Sequence, residues 1–358
     1  MKAGVLLRRG DIQYLEQPEP QTVSGKLKVR VMACGICGSD IPRVFGNEAH
    51  FYPVILGHEF SGVISEVGDG VEGFSVGDRV AVAPLVPCMK CPQCLKGEYA
   101  QCKSYSFIGS REPGAFAETV VIPAANAVKI GQNVSFETGA LFEPATVALH
   151  GILQAGFRGG RKAAVLGCGN IGILTAQWLK ILGARSVSVF DISSERLALA
   201  ARLGADHVYL TNDEEFTAKK QELIADGGFD DIFETAGQPA TIQLGFSLTA
   251  PRGSFCCIGT PHRDFEFPWK LWEQINRKEF HLTGSWMSYS APFPGREWEM
   301  TAHYFETGEL KIDREMIYRR YPLPQIREAF DLFADGRPVP GKVLLIDPSI
   351  EEMEGGKT

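Results

Sequence analysis

At residues 162–172 a short apolar run, KAAVLG, turns into Gly167-Cys168-Gly169-Asn170-Ile171-Gly172, and the segment from 171 to 182 repeats with a helical period. Ile171, Leu174, Trp178, Ile181 and Leu182 mark one helical face, stopped by Gly183. A G-x-G-x-x-G turn between a strand and a helix allows the backbone to approach a pyrophosphate, and the helix N-terminus adds a positive field. SVSVFD reads as the next strand, and SSERLALAARLG as a helix with serine at its start and Gly204 past its end. Apolar runs at DIFETAG, SFCCIG and HLTG continue the alternation. Strands alternating with helices in this way fold as a doubly wound parallel sheet, an α/β dinucleotide-binding (Rossmann) domain. Gly167, Gly169, Asn170, Ile171 and Gly172 are the expected cofactor loop. Asp191, ending the second strand, would accept hydrogen bonds from the adenosine ribose hydroxyls and repel a 2′-phosphate, so NAD is expected rather than NADP. Arg196, one turn into the next helix, is expected along the adenine or in solvent.

Up to about residue 130 the chain reads differently. LKVRVMACG alternates Leu27, Val29 and Val31, and FSGVISEVG and GDRVAVAP do so more loosely. This is an all-β region interrupted by a cysteine-bearing loop. After about residue 290 the pattern is mixed. KVLLID is a last strand, and the acidic tail SIEEMEGGKT is expected to be mobile.

The nine cysteines include Cys88, Cys91, Cys94 and Cys102, spaced C-x2-C-x2-C-x7-C. Four thiolates from one loop can close a tetrahedral coordination sphere without a core. Reduced thiols without a metal, in a loop carrying Pro87, Lys90 and Pro92, would be left unburied. An iron–sulfur cluster is the rival, but its common spacing ends in x3 where this loop has x7, so a structural zinc is favoured. A second constellation is dispersed: Cys37 in CGICGSD, His58 and Glu59 in GHEFSG, and Glu143 in FEPATVALH. A thiolate, an imidazole and a carboxylate with one position left open make a catalytic zinc site.

Composition excludes other classes. Hydrophobic residues are 44% and charged residues 22%, as in globular chains. The net charge is −7 with no basic block, which argues against nucleic acid. No apolar run approaches the roughly 20 residues of a membrane span, and MKAGVLLRRG, ended by Arg8 and Arg9, is no signal peptide. A cytoplasmic location is expected, where clustered cysteines serve metals more often than disulfides.

GHEFSGVISEVG, CGICGSD, the four-cysteine loop, VGDRVAV and the glycine turn together resemble the zinc-dependent medium-chain alcohol and polyol dehydrogenases over nearly the whole chain. The resemblance implies a GroES-like catalytic β domain at 1–150 and 288–358, a Rossmann domain at 151–287, and a homodimer or homotetramer. It implies two zinc ions per chain. Cys37 and His58 would be ligands of the catalytic one, and Glu143 would stand where simple alcohol dehydrogenases place a second cysteine. Glu59 would be an exchangeable ligand or lie just behind, and Ser39 would take the substrate proton as hydride leaves for NAD. Many relatives carry a histidine five residues after the first ligand; here it is Pro42, which leaves His50 or water for the proton's exit. The stretches CGSDIPRVFGNEAHFYPVILGHEFSG and GSWMSYSAPFPGREWE are most similar to hexitol-phosphate enzymes of the family. A polyol phosphate is therefore the expected substrate, its phosphate anchored by Arg43, His50 or Arg111. An unphosphorylated polyol or secondary alcohol (sorbitol or butanediol type) is the alternative; a non-catalytic NAD-sensing zinc protein is a third reading, which the intact Cys37, Ser39, His58 and Glu143 oppose.

Overall fold

The computed structural model describes residues 1–336 and 339–354. Contacts divide the chain into two units: Met1–Glu143, Tyr289–Gly308 and Ile312–Thr358 form the first, and Pro144–Ser288 with Glu309–Lys311 the second. The first boundary falls inside the helix Phe142–Gln154, where no change of sequence period marks it.

The first unit is built on a mostly antiparallel sheet in which Lys26–Gly35 pairs with Glu59–Val67, Thr119–Pro123 and Lys342–Ile346. Leu27, Val29 and Val31 face its core, as their alternation implies. Past Val31 the alternation stops, because Met32, Ala33, Cys34 and Gly35 are all buried. Both sides of this end are covered, and it is the end that leads to Cys37. The tail departs from expectation. Ile350–Met353 is a short helix, and the Glu354 carboxylate accepts bonds from Phe136 N at 2.7 Å and from Arg79 at 2.9 Å. Residues 355–358 of the expected mobile segment lie outside the described residues.

The second unit holds six parallel strands. Taking Lys162–Leu166, Ser186–Asp191, His207–Leu210, Phe229–Glu234, Thr249–Cys257 and His281–Gly284 in chain order, their order in the sheet is third, second, first, fourth, fifth, sixth. The reversal beside Lys162–Leu166 leaves a crevice at the carboxyl ends of the first and fourth strands, where ligands bind in such sheets. Ala164, Leu166, Phe190, Ile232 and Phe255 are buried in its core. The helix Ser194–Arg202 is capped by Ser193, whose side chain accepts from Arg196 N, and Gly204 follows its end at φ +109°. No helix among the described residues is long and apolar enough to cross a membrane.

Candidate active site and metal centres

In the first unit three sequence segments converge. The strand ending at Gly35 delivers Cys37, and the strand beginning at Glu59 delivers that residue and His58 just before it. Gly35 and Glu59 are paired across the two strands. A donor atom from each of Cys37, His58 and Glu59 lies within 4.8 Å of the other two, the separation a single ion can bridge. His58 and Glu59 are buried at 5% and 2% exposure. The Nδ1 of His58 and Oδ1 of the fully buried Asp40, 3.6 Å apart, both lack a hydrogen-bond partner. Burial pulls the His58 pKa down, but the Asp40 and Cys37 charges outweigh it and hold it well above the usual range. Such a donor set, mixed in charge and poorly satisfied by protein alone, fits a bound dication.

Glu143 lies in the first turn of Phe142–Gln154 and is not in that donor group. Burial raises its pKa to about 7, and the Glu59 charge adds to the shift while His58 and Lys342 oppose it. Its carboxyl group is within electrostatic reach of the same centre.

Asp40 and Lys342 are two participants that the sequence motifs do not single out. Asp40 Oδ2 accepts from Cys37 N at 3.0 Å, fixing the turn that carries the thiol. Lys342 Nζ is 2.5 Å from Glu59 Oε2, with both side chains buried. Asp40 stands in the CGSD motif and could have been found there; Lys342 opens a distant strand and has no local signal.

Ser39 donates from Oγ to Cys37 Sγ at 3.4 Å, and its backbone N donates to the same sulfur at 3.5 Å. Arg43 NH1 donates to Ser39 Oγ at 2.8 Å and to Ser39 O at 2.6 Å. His50 and Arg111 are exposed, and Arg111 lies over the Tyr105 ring at 4.8 Å. Burial, then the Arg111 and Arg43 charges, push the His50 pKa down, which favours a neutral imidazole within reach of both guanidinium charges.

In the cysteine loop the sulfurs of Cys91 and Cys94 are 3.6 Å apart, those of Cys91 and Cys102 3.9 Å, and those of Cys88 and Cys94 4.0 Å. Backbone N–H bonds to Cys91 lower its pKa to about 6, whereas burial raises that of Cys94 to about 12. Cys94 and Cys102 are buried at 5% and 4% exposure, while Cys88 and Cys91 are half-buried. The converging sulfurs are themselves the argument for an ion among them.

In the second unit the glycine turn ends at Gly169, which caps the helix Asn170–Ile181. A Cβ on Gly172 would stand 2.0 Å from the Gly167 carbonyl oxygen, so only glycine lets the helix pack against the turn. Asp191 Oδ2 accepts from Cys168 N at 2.5 Å and Oδ1 from Ser193 N at 2.9 Å. Arg196 does not extend into solvent. Its Nε donates to Cys168 O and its NH2 to Asn170 Oδ1, each at 2.9 Å, so it clasps the turn instead.

Residues 23–132 match the alcohol dehydrogenase GroES-like domain and residues 170–302 the zinc-binding dehydrogenase domain. Over 355 residues, 97% of this chain and 100% of the relative, the chain is 41% identical to galactitol 1-phosphate 5-dehydrogenase of Escherichia coli strain K12. The crystal structure of galactitol-1-phosphate dehydrogenase from Escherichia coli superposes with a TM-score of 0.91 at 39% identity, covering 97% of this chain and 100% of that one. That of a putative zinc-binding dehydrogenase from Sinorhizobium meliloti 1021 bound to NADP gives 0.86 at 30%, covering 97% and 99%.

Proposed function

From the premise that this chain belongs to the zinc-dependent medium-chain alcohol dehydrogenase family, we propose that it oxidises a secondary hydroxyl of a hexitol phosphate to the ketose phosphate. The products would be the ketone, NADH and a proton. The observation that carries this reading is the Cys37, His58 and Glu59 donor group with Ser39 bonded to its thiol, together with the guanidinium groups of Arg43 and Arg111 and the His50 imidazole on which both charges act.

Zinc held by Cys37, His58 and a carboxylate, Glu59 or Glu143, would acidify an alcohol much as it lowers the pKa of water from 15.7 towards ~7, and NAD would take the hydride. The chain's own residues do the rest. Asp40 holds the Cys37 backbone, and its buried carboxylate lends a negative charge 3.6 Å from His58 Nδ1. Lys342 restrains Glu59, so that residue can enter or leave coordination without becoming an uncompensated buried charge. Ser39 Oγ would receive the substrate proton while its own hydroxyl proton passes on to water or His50, so that it remains a neutral hydroxyl. Arg111 and His50, with the Arg43 charge behind them, would receive the phosphate, since a guanidinium can donate two parallel bonds to it. In the second unit the 167–172 turn would hold the pyrophosphate, and Asp191 the ribose hydroxyls. Cys88, Cys91, Cys94 and Cys102 would hold a second, structural zinc. A homo-oligomer working in the cytoplasm is part of the same reading.

The test is a panel of polyols and polyol phosphates read by NADH absorbance. Galactitol 1-phosphate should give the highest kcat/KM. Equal or better rates with sorbitol or 2,3-butanediol would replace the phosphate reading with the unphosphorylated one, and no turnover with any alcohol would leave a binding protein.

A further inference from the structure

Ser39 precedes the five-residue helix Asp40–Val44 yet makes no side-chain capping bond to it. Its hydroxyl is turned instead towards Cys37 Sγ, and Arg43, four residues on, reaches back to it. A hydroxyl has one proton and two lone pairs. The proton is directed at the Cys37 sulfur and one lone pair is taken by Arg43 NH1, so a single lone pair stays open. The same NH1 nitrogen also binds the Ser39 carbonyl, so the bonds fix main chain and side chain together. Arg43 is only 19% exposed, its Nε is buried without a partner, and its nearest anion, Asp40 Oδ1, is 3.8 Å away. A guanidinium does not give up its proton, so this side chain cannot relay one. It can only hold the oxygen that does.

We infer that Arg43 is a positioning residue for Ser39: it locks the hydroxyl with one lone pair open for the substrate, in addition to any charge it lends to phosphate binding. The inference rests on the reading of Ser39 as proton acceptor.

Two pairs of measurements test it on the zinc-loaded enzyme. The first is turnover of galactitol 1-phosphate and of galactitol by Arg43→Met, Arg43→Lys, Ser39→Ala and the double variant Ser39→Ala/Arg43→Met. The second is equilibrium binding of galactitol 1-phosphate without NAD, with zinc content as a check. Ser39→Ala should lower kcat by about 100-fold or more, as loss of a general base does. Arg43→Met should lower kcat about tenfold on both substrates, equivalent to one good hydrogen bond, while zinc content and the KM for galactitol change little, whatever its lost charge adds to the KM for galactitol 1-phosphate. Arg43→Lys, which keeps a donor and the charge, should recover part of the loss. In the Ser39→Ala background Arg43→Met should cost nothing more. A loss that persists undiminished there, or one confined to the phosphorylated substrate with weakened binding, overturns the inference and leaves Ser39's role intact. Full turnover by Ser39→Ala overturns the underlying reading, and the inference with it.

Discussion

Lys342 Nζ lies 2.5 Å from Glu59 Oε2, and a Cβ placed on Gly35 would lie 2.5 Å from that same oxygen. The bare glycine opposite Glu59 makes room for a carboxylate to lie flat against the strand, and the lysine holds it there. Burial pulls the Lys342 pKa down, yet the Glu59 and Cys37 charges outweigh it and leave it raised. Lys342→Met leaves Glu59 buried without its partner and should cost about 3–5 kcal/mol, the usual penalty for breaking a buried pair from one side. Denaturant unfolding of the metal-free protein measures it. A loss under about 1 kcal/mol, the range of an exposed pair, would mean the pair is solvated.

Asp191 joins two tasks, holding Cys168 N and, in our reading, the ribose. Asp191→Ala should therefore weaken NAD and raise the NADP to NAD ratio of kcat/KM by about tenfold or more, the value of a charge-assisted bond. Wild-type enzyme that already uses both cofactors equally would show that the carboxylate does not discriminate.

Arg111 pairs with no carboxylate among the described residues, and it stacks on Tyr105. Arg111→Ala should raise KM for galactitol 1-phosphate by about tenfold or more, since a charged hydrogen bond contributes about 1.5–3 kcal/mol. Rates with galactitol should hardly move. Equal losses on both would show general damage to the site.

The short-range features are legible in the amino-acid order itself. The glycine turn, the four-cysteine spacing and the pair His58–Glu59 each lie within one segment, where backbone geometry alone ties sequence to chemistry. The features that are not legible depend on side chains meeting across long separations. Lys342 meets Glu59 from the last strand, and Glu354 reaches Arg79 and Phe136. Composition makes the tail look mobile, because a charged segment shows its partners only once the fold supplies them. Arg43 is legible as a cation near Cys37, but the four-residue spacing that sends it back to Ser39 matters only once Asp40–Val44 is seen to be helical.

That tail contact is itself testable. Glu354→Ala removes the acceptor of a backbone N–H and of a largely buried guanidinium stacked on Phe136, and should destabilise the protein by about 1–3 kcal/mol. Thermal melting of the variant against the native chain reads the effect, and an unchanged midpoint would mean the tail detaches in solution.

The central claim is that Cys37 and Cys94 belong to two metal centres with different tasks. Zinc analysis of Cys37→Ser, alongside its melting curve and NADH formation, tests it most directly. We predict two zinc ions in the native chain and one in the variant, a near-native melting curve, and no turnover, whereas Cys94→Ser should lose its fold with its metal. A Cys37→Ser protein that keeps the native zinc content and still reduces NAD would contradict the account.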